Sequence, residues 1–87
     1  MNFQGAVITE QGVTFAVLVV KSHVLHDVNV QANMRQLGVR AWGRMPVVLV
    51  TQDASGRATY NGRPDLVKFL VNLDLRQIPW RNWSIAA

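Results

Sequence analysis

One apolar stretch decides the fold, VTFAVLVVK at positions 13–21. Apart from Thr14 it contains no polar residue before Lys21, and it is rich in β-branched side chains, which favour a β-strand. A strand with one solvent-facing side alternates apolar and polar residues, whereas this stretch does not alternate. It therefore predicts a central strand that is covered on both faces, as in the sheet of an α/β protein.

The residues before this stretch predict its partner strand. Phe3–Thr9 alternates loosely in polarity, and Glu10-Gln11-Gly12 follows as a short turn in which the glycine can adopt a positive φ. Two strands joined by so short a turn predict an antiparallel hairpin.

A helix is predicted after the polar residues 22–27. Asp27 or Asn29 can cap its N-terminus, and the apolar stripe has helical spacing. The stripe consists of Val30, Met34 and Leu37. Gly38 stands where a C-cap glycine ends many helices, so residues 39–45 are expected to be irregular.

The second half of the chain repeats this order. Pro46 precedes a β-branched strand over Val47–Thr51, the sequence Asp53-Ala54-Ser55-Gly56 suits a type I turn, and Arg57–Tyr60 predicts a short edge strand. Pro64 then suits the first position of a second helix that ends near Asn72. The apolar stripe of this helix is Leu66, Phe69, Leu70 and Leu73.

The predicted architecture is one α/β domain over residues 1–87 with the order β-β-α-β-β-α. The core covers residues 1–73, and residues 74–87 are expected to be an irregular tail containing Trp80 and Trp83. A right-handed crossover makes the second and third strands parallel. The result is a two-layer fold with a four-stranded mixed sheet and a hairpin at each edge. Two helices cannot easily cover both faces of this sheet, so we expect a homodimer.

The composition restricts the class of protein. The chain has 87 residues, of which 49% are hydrophobic and 16% charged, which is typical of a globular domain. It contains no cysteine, which excludes disulfides, thiolate metal sites and cysteine nucleophiles. No apolar run approaches the roughly 20 residues that span a bilayer, and no basic segment precedes an apolar one near the start. We therefore expect a cytoplasmic protein.

Residues 14–73 resemble a shortened thioredoxin-fold core. The likeness lies in Met45-Pro46-Val47-Val48-Leu49, a hairpin through Gly56, and Gly62 ahead of the last helix. It implies a cis bond before Pro46 and a pocket between that proline and residues 21–26. Thioredoxin-like proteins carry their redox motif at this loop, here KSHVLH, which has no thiolate to react. The resemblance thus implies binding without thiol–disulfide exchange.

Two further observations complete the candidate site. The chain also resembles short uncharacterised bacterial proteins, some of them on mobile cassettes, that share PVVL at 46–49 and YNGRPD at 60–65. Arg63, beside free backbone N–H groups at the start of the second helix, could bind an anion, although Asp65 weakens that expectation. The candidate binding residues are therefore Ser22, His23, His26, Met45, Pro46 and Arg63.

His23 and His26 are three positions apart and could share a metal ion, with Asp27 adjacent. A catalytic site needs a third ligand, and every other carboxylate has a turn or cap position that explains it. A solvent-facing histidine pair is the simpler interpretation. We predict no metal and no cofactor.

Tryptophans and arginines are neighbours at two places in the sequence, at positions 40–44 and 80–83. The residues are Arg40, Trp42, Arg44, Trp80, Arg81 and Trp83. Such rings can fill the core of a small domain, anchor a dimer interface, or stack on single-stranded nucleic acid with help from arginine. The net charge of +4 is compatible with nucleic acid, but the basic residues are not clustered.

The leading functional hypothesis is a small non-enzymatic binding or interaction module that self-associates, with a protein partner or a small ligand. The alternative is a nucleic-acid-binding accessory protein that uses the arginine and tryptophan residues. A third hypothesis is a small metal-dependent enzyme at His23 and His26. The glycines form no phosphate-binding loop, and the serines have no nucleophile context, so no catalytic residue is predicted.

Overall fold

A computed structural model describes residues 2–85 of the chain. It contains five strands, two α-helices and two short 3₁₀ helices. The strands are β1 (Asn2–Glu10), β2 (Val13–Val19), β3 (Val47–Gln52), β4 (Ala58–Asn61) and β5 (Arg81–Ser84). The α-helices are α1 (Val28–Trp42) and α2 (Pro64–Val71), and the 3₁₀ helices cover Ser22–His26 and Leu75–Gln77.

The strands form one mixed sheet in the order β4-β3-β2-β1-β5. β2 and β3 are parallel, and the other neighbouring strands are antiparallel. The prediction that β2 is the central strand is confirmed, as is the β1–β2 hairpin. Its turn places Gln11 at φ 49° and Gly12 at φ 78°, and positive angles at both central residues match the right-handed twist of the strands.

The predicted four-stranded sheet is wrong, because β5 adds a fifth strand. Residues 75–77 form a 3₁₀ helix and residues 81–84 pair antiparallel with β1, so this part of the predicted irregular tail has regular structure. Phe3 lies opposite Trp83, whose indole Nε1 donates a hydrogen bond to the carbonyl of Gly5 at 3.1 Å. The β1–β2 hairpin therefore lies inside the sheet. Ala86 and Ala87, at the end of the predicted tail, lie outside the described residues.

The two helices pack on opposite faces of the sheet, so the predicted two-layer arrangement is also wrong. Leu66 and Leu70 of α2 pack with Phe15, Val17 and Val48. On the other face, Leu37 of α1 packs with the side chains that alternate with these along the strands, namely Ala16, Leu18, Val47 and Leu49. Because each face carries a helix, an uncovered sheet face no longer supports the expected homodimer. Self-association stays a prediction.

Helix α1 continues past Gly38 and ends at Trp42, which corrects the predicted end. Gly38 is buried, and a Cβ placed on it would lie 2.8 Å from Cγ2 of Val47. This glycine is therefore required by close packing of α1 on β3. Gly43 is the C-cap, with φ 79° and its N–H bonded to the carbonyl of Val39. At the other end Asp27, one of the two predicted candidates, is the N-cap.

The loop before β3 differs from what the resemblance implies. No cis peptide bond occurs in residues 2–85, so Met45–Pro46 is trans. The carbonyl of Pro46 accepts a hydrogen bond from the N–H of Ala16 at 2.9 Å, which begins the parallel β2–β3 pairing. The thioredoxin-like outline stays a prediction. Neither helix in this part of the chain is long and apolar enough to cross a membrane.

Candidate functional site

A groove runs along the β4 edge of the sheet on the α1 side. It consists of two depressions that share Asn61. The first, which we call the Pro46 pocket, has a volume of about 450 Å³ and lies between α1, the loop before β3 and the start of α2. The second, the His26 pocket, has a volume of about 350 Å³ and lies between the first 3₁₀ helix and the β3–β4 hairpin.

The candidate binding residues are divided between these two pockets. Met45, Pro46 and Arg63 line the Pro46 pocket, whereas Ser22 and His26 line the His26 pocket. His23 is exposed on the 3₁₀ helix and lines neither of the two. The structure thus places five of the six predicted residues in two adjoining pockets rather than one, and His23 outside both.

Arg35 lines the Pro46 pocket and bonds to Asn61, which both pockets share, and it is a residue that the sequence did not reveal. Its Nη2 donates to the backbone carbonyl of Asn61 at 3.0 Å and to the side-chain Oδ1 of Asn61 at 2.6 Å. Arg35 is half-buried on α1, and Asn61 is the last residue of β4. These bonds fix the distance between helix and sheet edge at the centre of the groove.

The other arginine of the groove, Arg63, is paired with a neighbour. Its Nε and Nη2 donate to the two carboxylate oxygens of Asp65 at 2.9 and 2.7 Å. These hydrogen bonds lower the pKa of Asp65 and raise that of Arg63. Both side chains are at least half exposed, so the pair contributes little to stability and mainly cancels the charge of Arg63 locally.

Asp53 in the His26 pocket is engaged in its own turn. Its Oδ1 accepts hydrogen bonds from the Ser55 hydroxyl at 2.6 Å and from the backbone N–H groups of Ser55 and Arg57. The Ser55 hydroxyl is the main cause of the lowered pKa of Asp53. Tyr60 lines the same pocket, and burial raises its pKa. Asp53 thus organises the predicted turn at residues 53–56.

The histidine pair has no third metal ligand in the described part of the chain. Residues 2–85 contain no group of three or more histidine and acidic side chains that could hold a metal ion. Oδ1 of the adjacent Asp27 accepts from the N–H groups of Asn29 at 3.0 Å and Val30 at 3.3 Å, as the cap of α1.

The predicted arginine–tryptophan surface divides between the two faces of the sheet. Trp42 contacts Phe3 and Trp83 edge-on, each with ring centroids 5.4 Å apart, and Arg81 lies 5.7 Å from the centre of the Trp83 ring. Trp80 packs on the α2 face instead, where its indole donates to the carbonyl of Leu75 at 3.0 Å. Arg40 and Arg44 are exposed beside Trp42 in the chain. The Trp42 and Trp83 rings are therefore packed against other residues of the domain.

The groove combines a fixed polar centre, Arg35 and Asn61, with an apolar wall from Val39, Met45 and Pro46. Such a mixture is typical of small-molecule sites, in which a few polar groups orient a ligand against apolar surface. Comparison of the chain with protein-family models, with curated proteins and with solved structures finds no match.

Proposed function

We propose that this protein is a small, non-catalytic binding module that self-associates and takes a small-molecule ligand in the groove beside β4. The observation that carries this proposal is the pair of pockets that meet at Asn61. Their volumes of about 450 and 350 Å³ lie in the usual range of ligand sites. The Arg35–Asn61 hydrogen bonds hold this shape before any ligand arrives.

The carboxylates in and beside the groove are engaged in structural bonds, which supports the proposed binding role. Asp53 is bonded within its turn, and Arg63 is bonded to Asp65. A general acid or base needs a side chain within reach of a substrate proton, and these carboxylates are already engaged in structural bonds. A cytoplasmic location is part of the same proposal and rests on the cysteine-free sequence.

A titration followed by backbone amide NMR tests the ligand site. The probes are three fragments of similar size, butyramide, butyrate and butylammonium. We expect at least one of them to shift the amides of Asn61 and Gly62 saturably. Val39→Trp should fill the Pro46 pocket and abolish these shifts, whereas Val71→Trp, at a residue 66% exposed on α2, should leave them unchanged. If no fragment shifts the groove amides, the proposed site is wrong.

Self-association is supported by the two edges of the sheet. In the described part of one copy, the outer sides of β4 and β5 have no neighbouring strand, and such an edge can pair with another chain. We expect light scattering after size exclusion to give the mass of a dimer at moderate concentration. A monomer mass that does not change with concentration contradicts this part of the proposal.

Nucleic-acid binding is a second candidate, favoured by the position of Arg81 over the Trp83 ring and by the net charge of +4. Proteins that bind single-stranded nucleic acid use aromatic rings, which stack on the bases, together with arginine. Fluorescence anisotropy with a labelled single-stranded oligonucleotide should then show an affinity that falls steeply with salt, and Arg81→Gln should weaken it. The absence of binding at low salt excludes this candidate.

A further inference from the structure

We propose that the Pro46 pocket binds a small oxyanion, a carboxylate or a phosphate ester that carries a short apolar group, and that Arg35 holds its charge. The inference rests on the proposed function and specifies the ligand of the same groove. It depends on three observations about Arg35, its anchor Asn61 and the wall of the pocket.

The first observation is that the charge of Arg35 has no ion-pair partner among residues 2–85. In residues 2–85, ion pairs within 4.0 Å join Arg63 to Asp65 and Arg76 to Asp74, and neither involves Arg35. Nη2 of Arg35 donates to Asn61, which leaves the N–H groups at Nε and Nη1 without a protein acceptor in this part of the chain. Among the described residues only the Trp42 indole N–H is a buried side-chain group without a partner, so these Arg35 N–H groups are accessible to a ligand.

The second observation is that Arg35 is already oriented. An arginine loses considerable rotamer freedom when it is fixed, and this cost reduces the affinity for a ligand. Two bonds to Asn61, at 3.0 and 2.6 Å, fix the guanidinium in the folded chain. Binding of a ligand to Arg35 therefore does not include the entropic cost of fixing this side chain.

The third observation is the surroundings of this guanidinium. None of the described acidic residues lines the Pro46 pocket, and Val39, Met45, Pro46 and Val47 form an apolar wall. Helix α2 begins at the rim, after Gly62 and Arg63, and its N-terminus adds positive potential. Asp65 in the first turn takes up part of this potential, so Arg35 supplies the main charge. The charged group of an oxyanion can pair with Arg35, while a short apolar chain on it packs against the apolar wall.

The experiment compares butyrate and butyl phosphate with butyramide, a neutral molecule of similar shape, by amide NMR titration of the full chain. We expect both anions to shift the amides of Asn61 and Gly62 saturably. Butyramide should bind at least about tenfold more weakly, since hydrogen bonds to charged groups contribute about 1.5–3 kcal/mol. The ratio of the two anion affinities identifies carboxylate or phosphate as the better ligand.

Two variants and a control test the role of Arg35. Arg35→Gln removes the charge, whereas Asn61→Asp keeps an acceptor for Arg35 but cancels its charge with a neighbouring carboxylate. Both should weaken butyrate binding about tenfold or more, and Asn61→Asp should do so without lowering stability. Arg76→Gln removes an exposed arginine outside the groove and should not change binding.

The outcomes separate this inference from the proposed function. The oxyanion inference is overturned if butyramide binds as tightly as butyrate. It is also overturned if Arg35→Gln and Asn61→Asp both bind butyrate with unchanged affinity. In either case the groove is still a ligand site. If neither anion shifts the groove amides but butyramide or butylammonium does, only the oxyanion inference is overturned. If none of the four molecules shifts them, both proposals are overturned.

Discussion

The two faces of the sheet are built differently. The α2 face packs against a short helix whose Leu66 and Leu70 are buried with Phe15 and Val17. The α1 face has a helix almost twice as long, 15 residues against 8, yet in α1 only Leu37 and Gly38 are buried. The longer helix therefore contributes less to the core.

The two helices also differ in the polar groups that they place beside the sheet. Helix α2 buries two leucines, Leu66 and Leu70, in eight residues, so it mainly covers the core. On α1, half-buried Arg35 bonds to Asn61 near the groove, and Trp42 packs on Phe3 and Trp83 where the helix ends. The α1 face thus places a bonded polar pair, Arg35 and Asn61, at a pocket that a ligand can use.

Truncation of one leucine on each face gives the largest expected difference. Leu70 is fully buried and Leu37 is 8% exposed. We expect Leu70→Ala to lower the free energy of unfolding by about 3–5 kcal/mol and Leu37→Ala by about 2 kcal/mol. Both the loss of buried methyl groups and the cavity that remains destabilise the folded state. Urea denaturation measures both values. Equal losses would contradict the comparison of the faces.

Gly38→Ala tests how closely α1 lies on the sheet. In an open helix this change stabilises by about 1 kcal/mol. Here the new Cβ would lie 2.8 Å from Val47, a stiff β-branched side chain, so we expect a net loss of roughly 1–2 kcal/mol. In a Val47→Ala background the loss should largely disappear, and an unchanged loss in that double variant would place its cause elsewhere.

Two tryptophans on the α1 face should respond differently to phenylalanine. The Trp83 indole N–H is bonded to the carbonyl of Gly5, whereas that of Trp42 is buried with no partner in residues 2–85. Trp83→Phe loses a hydrogen bond, and Trp42→Phe removes an unsatisfied donor. We expect Trp83→Phe to be more destabilising by about 1 kcal/mol. Thermal unfolding of both variants measures this, and the reverse order would be evidence against the assigned bonds.

The smallest expected effect is a loss of stability at acid pH, caused by Asp74 in the segment between α2 and β5. Hydrogen bonds from Arg76, side chain first and backbone second, lower the pKa of Asp74 from 3.8 to about 2. A carboxyl whose pKa is lower in the folded state stabilises fully above 3.8, and this contribution is lost as the pH falls towards about 2. Asp74→Asn should therefore make the Tm less dependent on pH in this range. An unchanged slope would assign the acid sensitivity to other carboxyls.

Local sequence features predicted the parts of the fold that depend on neighbours in the chain. Gly12 in its turn, Asp27 as the cap and Pro64 at the start of α2 are such cases. Gly38 was assigned to a helix end because its role depends on Val47 in another strand. β5 was missed because its four residues are mostly polar and exposed and are held by a bond from Trp83 to distant Gly5.

The candidate site was predictable only in part for the same reason. Pro46 and Arg63 are visible in the sequence beside a turn and a helix start, and they line one pocket. Arg35 and Asn61 are 26 positions apart, and neither residue type indicates a partner at that distance. The position of Arg35 next to Met34 in the helical stripe was the available indication of partial burial.

The pairing of β1 with β5 brings the two ends of the described chain together. Asn2 lies opposite Ser84 in an antiparallel pair, so the chain forms a ring that is closed by backbone hydrogen bonds. A force applied at these two ends loads the bonds one after another, starting with the Asn2–Ser84 pair, rather than all at once. Under tension the molecule therefore opens by unzipping β5, while the core strands β2 and β3 are still paired.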